Sequence, residues 1–305
     1  MAKYTKTTFW LRFHTLSRLY VSFVFLPVIL FSILSPSHAA TGEYAIEQVK
    51  GNVYRFIDDR HRSLIVVGTH NILLVDTLNK PASVWLKSAL EQRFHLPVKY
   101  VVYSHNHSDH IYGAEIFKSS NTTFIAHKLA YQDIVNTKAA TVTPDITFTD
   151  KMQITLDDHE IELRYHGPND GRGSISVLVL PEKVLFAADW IVIGRMPWQK
   201  LWSYDIQGVI NSTQEVMQLD FDTFVGGHGN IGTKFEVGRY LNYMSQLYTA
   251  VIKSTLAGMT LEEMKKTIRL DEYKDLDFYE EWLPLNIEGV YKRLSEESGL
   301  GWRSN

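Results

Sequence analysis

The amino-acid sequence predicts a layered α/β sandwich with a helical extension at its C-terminal end. Short apolar segments of strand length recur in two groups along the chain, and segments with helical periodicity lie between them. After about Phe235 the pattern is helical to the end of the sequence. Two strand-rich halves that each carry helices favour packed sheets, because every sheet must bury its apolar face against another layer.

The first half leads up to a buried strand that ends just before Ser104. Pro81 suits a first helical position, and the β-branched and aromatic run at residues 98–103 is typical of a strand buried on both faces. Turn signals bound the earlier strands. We predict strands at residues 53–57, 63–67, 71–77, 98–103 and 122–126, helices at 81–94, 110–118 and 128–136, and a looser stretch at 139–150.

The second half returns to strands and then becomes helical. Thr260 and Glu263 have the spacing of a capping box at the start of a late helix. The sequence thus divides into a main domain at residues 40–234 and a C-terminal helical extension at 235–305 packed on it. We predict strands at residues 154–156, 161–166, 174–180, 184–187 and 223–226, and a helix at 209–219.

Residues 1–39 have the pattern of a signal peptide. Four basic residues precede or flank the start of an apolar run at 21–34, which is too short to span a bilayer comfortably. Ser37 and Ala39 are small residues where signal peptidase requires them. We therefore expect export by the Sec route, a periplasmic or secreted mature protein, and no stable membrane anchor. The alternative is an uncleaved anchor, against which Pro27 argues.

The composition limits the classes of partner. There is no cysteine, so neither a disulfide framework nor a lipid-modified cysteine is available. Removing the four basic residues of the signal peptide from the total of 31 leaves 27 Lys plus Arg against 34 Asp plus Glu. This acidic balance does not favour nucleic-acid binding, and a small-molecule substrate is expected instead. The sequence does not indicate an oligomeric state.

Three histidines and an aspartate crowd into the segment directly after the buried strand. It reads Ser-His-Asn-His-Ser-Asp-His and contains His105, His107, Asp109 and His110. Imidazole nitrogen and carboxylate oxygen bind Zn²⁺ at about 2.0 to 2.2 Å. Alternating residues of an extended segment can reach one ion while the following turn reaches a second. The sequence therefore predicts a metal site, against the alternative of a solvated polar loop.

His-x-His-x-Asp-His after a buried strand resembles the metal-binding motif of the metallo-β-lactamase superfamily. The resemblance covers nearly all of the chain after residue 39 and implies a four-layer αββα sandwich with two zinc ions, iron or manganese being the alternatives. Asp189 lies where the superfamily carries a metal-bridging aspartate, and His228, between glycines that permit close backbone approach, resembles its last ligand. Asp76 matches an acidic residue that supports the ligands.

The sequence departs from the superfamily at the third histidine. Related sequences carry Gly-Pro-x-His before the bridging aspartate, whereas here Asp170 follows Gly-Pro-Asn and occupies the histidine position. Aspartate can bind zinc, so Asp170 is the simplest substitute, with His166 or loss of the first metal as alternatives. The two predicted sites, which share Asp189, are His105, His107 and Asp170 for the first metal and Asp109, His110 and His228 for the second.

Residues outside these motifs carry weaker signals. Aromatic side chains after Asp189 are candidates for a substrate pocket, because the segment follows a ligand and contains Gly194 and Pro197. Core packing is the alternative. These aromatic residues are Trp190, Trp198, Trp202 and Tyr204. The remaining histidines are scattered and most are expected at the surface: His61, His70, His95, His127 and His159.

The resemblance implies a hydrolase in which a metal-bound hydroxide attacks a carbonyl group, while Asp109 binds metal and orients the nucleophile. The helical tail is similar to that of broadly defined bacterial β-lactamase-like hydrolases. A β-lactamase-like activity is the first expectation, and glyoxalase II-like thioester hydrolysis or lactone hydrolysis is the alternative. A third hypothesis is a metal-binding accessory protein without catalysis, because Asp170 replaces a histidine.

Overall fold

The computed structural model describes residues 44–297, which form two β-sheets, so the predicted signal peptide lies outside the described residues. The first sheet has seven strands in sequential order, and the second has six. The first contains β1 Ala45–Lys50, β2 Val53–Asp58, β3 His61–Val67, β4 Ile72–Val75, β5 Val98–Tyr103, β6 Thr123–His127 and β7 Ile146–Phe148. The second contains β8 Lys151–Leu156, β9 His159–Tyr165, β10 Ile175–Leu180, β11 Val184–Ala187, β12 Thr223–Gly226 and β13 Gly232–Thr233.

Helices connect strands within both sheets and follow the last strand, and several begin at side-chain caps. The predicted capping box of Thr260 and Glu263 is confirmed, and Thr233 with Glu236 forms another. Within the described part of the chain, no helix is both long and apolar enough to cross a membrane. The α-helices are α1 Lys80–Phe94, α2 Ser108–Ile111, α3 Lys128–Thr137, α4 Ile206–Val216, α5 Lys234–Leu256, α6 Leu261–Thr267 and α7 Tyr279–Glu297.

Three buried apolar clusters separate four layers. In β5, Val102 faces the cluster between the two sheets, whereas Val101 and Tyr103 face the cluster under α1 and α3, as the alternation of strand side chains requires. In β11, Phe186 faces the sheet–sheet cluster and Leu185 faces the cluster formed with α4 to α7. The fold is therefore the predicted αββα sandwich with C-terminal helices.

Parallel strands bring the predicted site residues to one edge of each sheet. Strands β4 and β5 are parallel neighbours, as are β11 and β12. Because parallel neighbours end at the same edge, the segments that follow them lie side by side. The backbone N–H of Arg62 donates to the Gly227 carbonyl at 2.8 Å and links the two edges.

Three local predictions were wrong. The helix expected at 110–118 is divided into α2 and a 3₁₀ helix at Ala114–Phe117, because Gly113 has a φ of 81°. A Cβ at Gly113 would lie 2.6 Å from the Asn79 carbonyl group. Helix α4 begins three residues before the expected start, since the Asp205 side chain caps it. The looser stretch at 139–150 contains strand β7.

Candidate metal centre

Asp189 lies at the centre of four histidine side chains. Its Oδ2 is 3.4 Å from His105 Nε2 and 3.8 Å from His107 Nδ1. Its Oδ1 is 3.1 Å from His110 Nε2 and 3.3 Å from His228 Nε2. Each carboxylate oxygen therefore faces two imidazole nitrogens, which is the arrangement expected of a residue that lies between two cations.

The spacing of these atoms fits metal coordination. Tetrahedral zinc with bonds of about 2.0 to 2.1 Å places neighbouring ligand atoms about 3.3 Å apart. Three of the four nitrogen–oxygen distances at Asp189 are 3.1 to 3.4 Å. Asp109 Oδ2 lies farther out, 4.0 Å from both His110 Nε2 and His228 Nε2. Two candidate groups thus share Asp189, one with His105 and His107 and one with Asp109, His110 and His228.

Three buried atoms of this cluster have no hydrogen-bond partner among the described residues. They are His105 Nε2, His110 Nε2 and Asp189 Oδ1. Leaving a buried polar atom unpaired costs about 1 to 3 kcal/mol, so such atoms are rare in folded proteins. Cations bound in the two groups would satisfy these atoms, because His105 Nε2 offers a lone pair to one group and His110 Nε2 and Asp189 Oδ1 offer theirs to the other. The residues present therefore fit a metal ion.

The outward-facing ring nitrogens do have partners, and these determine where each lone pair points. His228 Nδ1 lies 2.6 Å from the Arg60 carbonyl oxygen, which can only accept, so Nδ1 carries the hydrogen. His105 Nδ1 lies 2.9 Å from Ser104 Oγ. Since the Ser104 hydroxyl donates to a carboxylate, it accepts from His105. Both rings therefore direct an unprotonated Nε2 at the cluster.

Asp76 holds this arrangement from behind. It is fully buried, and its carboxylate accepts from Ser104 N at 2.8 Å, Ser104 Oγ at 2.6 Å and His110 Nδ1 at 3.0 Å. Asp76 also has a φ of 66°, a strained backbone conformation of the kind that persists where surrounding contacts enforce it. Asp76 lies close to His105 as well, but its two oxygens already accept three hydrogen bonds. Its support of bound metal ligands stays a prediction.

The charges of the site shift the pKa values of its residues strongly. Burial raises the pKa of Asp189, but His110 and His228 outweigh it and hold that pKa well below its ordinary value. Burial lowers the pKa of His110, but Asp189 outweighs it and raises that pKa well above its ordinary value. Burial also opposes ionisation of Asp109, yet the hydrogen bond from His61 lowers its pKa. The negative charge of the aspartates holds protons on the histidines, and it would also attract a metal ion. Protons and metal therefore compete for the same histidine nitrogens.

The glycine-rich loop allows this crowding, as the sequence predicted. A Cβ at Gly227 would lie 2.7 Å from Asp189 Oδ1 and 2.8 Å from His110 Cε1. Real Cβ contacts are not this short, so any other residue at this position would displace the aspartate or the histidine. The loop therefore places His228 beside Asp189 only because Gly227 has no side chain.

Asp170 is buried beside the cluster but belongs to neither candidate group. Its Oδ1 accepts a hydrogen bond from the Ser203 hydroxyl, and its backbone N–H donates to Asn169 Oδ1 at 2.6 Å. Burial, followed by the charge of Asp189, raises the pKa of Asp170 to about 7. Asp170 and His107 line the same pocket. Coordination of a metal by Asp170 stays a prediction.

His166, the alternative to Asp170, is outside the candidate metal groups. Its Nδ1 lies 3.1 Å from Glu215 Oε2, and its Nε2 lies 2.8 Å from Ser176 Oγ. Both ring nitrogens are therefore engaged by other side chains. Asp170, which lines the pocket, is the better placed of the two residues.

His61 is a site residue that sequence reasoning missed. Its Nε2 lies 3.3 Å from Asp109 Oδ2, and its ring centroid is 5.0 Å from that of His228. Of the scattered histidines, His70 and His95 are exposed and His61 is half-buried, whereas His127 and His159 are buried. No motif or spacing links His61 to Asp109 in the sequence, and only the packing of β3 against α2 brings them together.

A cavity of about 670 Å³ opens onto the cluster. Trp198, Trp202 and Tyr204 line it, as predicted, whereas Trp190 is fully buried in the core and does not. Sequence reasoning missed several further lining residues, among them Arg195, Phe278 and Trp282. The last two lie more than 85 residues after Asp189, and no local pattern in the sequence connects them to it.

Residues 58–228 match the family model described as the metallo-beta-lactamase superfamily, and the chain belongs to this family. A metallo-beta-lactamase from Pontibacter korlensis has a similar fold, with a TM-score of 0.60 and 18% identity over 67% of this chain and 99% of that one. The alpha subunit of 2,4-dinitroanisole O-demethylase from Nocardioides sp. (strain JS1661) is 30% identical over 190 residues. That match covers 60% of this chain and 56% of the relative's length.

Proposed function

We propose that this protein is an exported, zinc-dependent hydrolase of carbonyl substrates with β-lactamase-like chemistry. The observation that carries the proposal is the set of three unpaired buried atoms on His105, His110 and Asp189. A bound metal ion would lower the pKa of a water molecule and polarise the carbonyl group of a substrate. Membership of the superfamily supports hydrolysis, and the signal-peptide pattern at residues 1–39 supports export to the periplasm or beyond.

The protein's own residues have separate tasks in this proposal. Four histidines would hold the metal ions, and Asp189 would offset part of their charge. These histidines are His105, His107, His110 and His228. Asp109 faces the pocket and stays ionised at neutral pH, so it can accept a hydrogen bond from the attacking water and orient it. Asp170 and Ser203 close the site next to His107.

A substrate panel tests the proposal. The metal-loaded protein is assayed with a chromogenic cephalosporin, a thioester and a lactone, before and after removal of metal with a chelator. We expect hydrolysis of at least one class, loss on chelation, recovery with Zn²⁺, and a fall in kcat of about 100-fold in Asp109→Asn. Asp157→Asn, remote from the pocket, is the control and keeps full activity.

An inert wild-type protein would contradict the proposal. If Asp170→His then gained turnover on the same panel, the accessory hypothesis would replace it, because the aspartate would have disabled an otherwise complete site. Hydrolysis that persists after complete removal of metal would contradict the metal dependence.

A second candidate is hydrolytic cleavage of an aryl methyl ether. It is favoured by the 30% identity with the demethylase subunit together with the aromatic side chains that line the cavity. Cleavage by water yields a phenol and methanol, so the reaction needs no oxidant. Release of 2,4-dinitrophenol from 2,4-dinitroanisole, followed by its yellow colour, tests this candidate. Since the relative is one subunit of an enzyme, a partner chain is part of the second candidate.

A further inference from the structure

Three aromatic side chains form a surface on the side of the cavity away from the sheets. This aromatic wall consists of Trp198, Phe278 and Trp282. The rings of Phe278 and Trp282 stack at 4.3 Å and 11°, and Trp198 meets Trp282 edge-on at 5.1 Å. Trp198 is 38% exposed and Phe278 is 45% exposed, whereas Trp282 behind them is buried. Large exposed aromatic surface inside a cavity indicates a ligand-binding face.

A positive charge lies against this wall. The Arg195 guanidinium is 5.6 Å from the centroid of the Trp282 ring and lines the same cavity. Its Nη1 donates to the Met196 carbonyl at 3.2 Å, and within residues 44–297 it forms no ion pair with a carboxylate. Burial lowers the pKa of Arg195. Arg195 is half-buried, and because its charge has no ion-pair partner in this part of the chain, an anionic ligand in the cavity can supply one.

The segment that carries Arg195 is fixed to the segment that carries Phe278. The Met196 N–H donates to the Asp277 carbonyl at 3.0 Å, and the Asp277 N–H donates to the Gly194 carbonyl at 3.1 Å. Phe278 itself has a φ of 66°, a conformation that is costly for a residue with a side chain. The backbone contacts with Asp277 enforce it, and the ring is thereby directed into the cavity.

Helix α7 fixes the loop that carries Trp198. Asn286 Nδ2 donates to the Pro197 carbonyl at 3.1 Å and to the Gln199 carbonyl at 2.6 Å. The backbone at Gly289 approaches the Lys200 carbonyl so closely that a Cβ would lie 2.3 Å from it. The aromatic wall is therefore preorganised, which reduces the entropy lost when a ligand binds.

We propose that the substrate is an aromatic anion, whose ring packs on the aromatic wall while its negatively charged group binds Arg195. This inference rests on the proposed function, because it assigns a substrate class to the same cavity. The cavity of about 670 Å³ has room for an aromatic ring with its substituents. Outside the predicted metal ligands, Arg60 and Arg62 add positive charge to its lining and Asp59 adds one negative charge. The remainder of the substrate then extends towards Asp109 and Asp189.

Binding of non-reactive probes to the full-length, metal-loaded protein tests the inference without requiring turnover. The probes are 4-toluenesulfonate, the neutral methyl 4-tolyl sulfone, and the non-aromatic cyclohexanesulfonate, measured by isothermal titration calorimetry. Sulfonates are weak metal ligands, so the comparison reports on the wall and the arginine. We expect 4-toluenesulfonate to bind about tenfold more tightly than either of the other probes.

Variants assign that preference to residues. In Arg195→Met, we expect 4-toluenesulfonate to bind no more tightly than the neutral sulfone. In Arg195→Lys, we expect part of the difference in affinity to remain. Phe278→Leu removes the advantage of the aromatic over the cyclohexyl probe. The matched controls are Arg269→Met, an exposed arginine that also donates only to carbonyl groups, and Phe235→Leu, an exposed phenylalanine outside the cavity. Both controls bind all three probes as the wild type does.

The inference would be overturned if the wild-type protein bound the three probes with equal affinity. It would also be overturned if Arg195→Met had an unchanged melting temperature and bound 4-toluenesulfonate as tightly as the wild type does. A protein that hydrolyses nothing but still prefers 4-toluenesulfonate would contradict only the proposed function. A hydrolase that shows no preference among the probes would contradict only the assignment of the substrate class.

Discussion

The cavity has two sides that are built in different ways. On one side, Asp189 and His228 follow strands β11 and β12 closely, and the histidine motif follows strand β5. On the other side, the aromatic wall is carried by a loop and by the N-terminal end of helix α7. The first side consists mainly of histidine and aspartate side chains, whereas the second consists mainly of aromatic side chains and the guanidinium of Arg195.

The difference separates chemistry from selectivity. Strand ends in a packed sheet position side chains accurately, which a metal site requires. A loop held by a helix can change its side chains without altering the sheets, so it suits recognition of one substrate class. Substitutions on the sheet side should therefore remove metal and activity together. Substitutions on the loop side should change substrate binding and leave the metal in place.

The largest effect is expected at Asp189. Asp189→Asn removes the charge that faces four histidines and should reduce bound metal to less than half, with a fall in kcat/KM of about 1,000-fold or more. Metal analysis and steady-state kinetics check this. Asp205→Asn, which alters only the cap of α4, serves as the control and retains its metal. Full metal content in Asp189→Asn would show that this residue does not hold the two groups together.

Gly227→Ala should have the next largest effect. Its Cβ would collide with Asp189 and His110, so we expect metal affinity to fall by about 100-fold and the free energy of unfolding by about 1 to 3 kcal/mol. Gly238→Ala in helix α5 is the matched control. Its Cβ would meet only the flexible end of the Met217 side chain, at 3.4 Å from Cε. Wild-type metal affinity in Gly227→Ala would mean that the loop can move away without loss.

The loop side is tested by Asn286→Ala. This change removes two hydrogen bonds to the loop and one from Tyr243, so the loop should lose its fixed position. We expect KM for a cleaved substrate to rise by about tenfold while the metal content stays at the wild-type value. Tyr243→Phe is the control, since it removes only the hydrogen bond from Tyr243 to Asn286 Oδ1 and keeps the two that Asn286 donates to the loop. Loss of metal in Asn286→Ala would break the proposed separation of the two sides.

The smallest effect is expected at Glu288, which also holds the loop. This buried carboxylate forms ion pairs at 2.7 to 2.9 Å with Lys200, Lys265 and Lys292. The hydrogen bond from Lys200, followed by that from Lys265, lowers the pKa of Glu288 to about 2, from 4.5 in the unfolded chain. Because the folded pKa is depressed, the contribution to stability is full above pH 4.5 and is lost as the pH falls towards 2.

Glu288→Gln should therefore destabilise the protein by about 1 to 2 kcal/mol at pH 7 and by clearly less at pH 3. Urea unfolding of both proteins at the two pH values measures the difference. Glu296→Gln, an exposed glutamate paired with Arg293 at 3.5 Å, should change stability little at either pH. A Glu288→Gln effect that is equal at pH 7 and pH 3 would rule out the charge as its cause.

The sequence predicted the sheet side better than the loop side, for a physical reason. Six consecutive residues contain His105, His107, Asp109 and His110, and this crowding after a buried strand cannot be explained by packing. Arg195, Phe278 and Trp282 reach the cavity only through tertiary contacts such as the pairing of residues 194–196 with Asp277. Arginine and aromatic residues are scattered throughout the sequence, so no pattern distinguished these three.

The most direct test of the account is the metal content of the protein purified without chelator, measured by inductively coupled plasma mass spectrometry. The two groups that share Asp189 predict about two zinc ions per chain. A protein that contains no metal and binds none on addition of Zn²⁺ would contradict the account, because the unpaired atoms of His105, His110 and Asp189 would then have no cation to satisfy them.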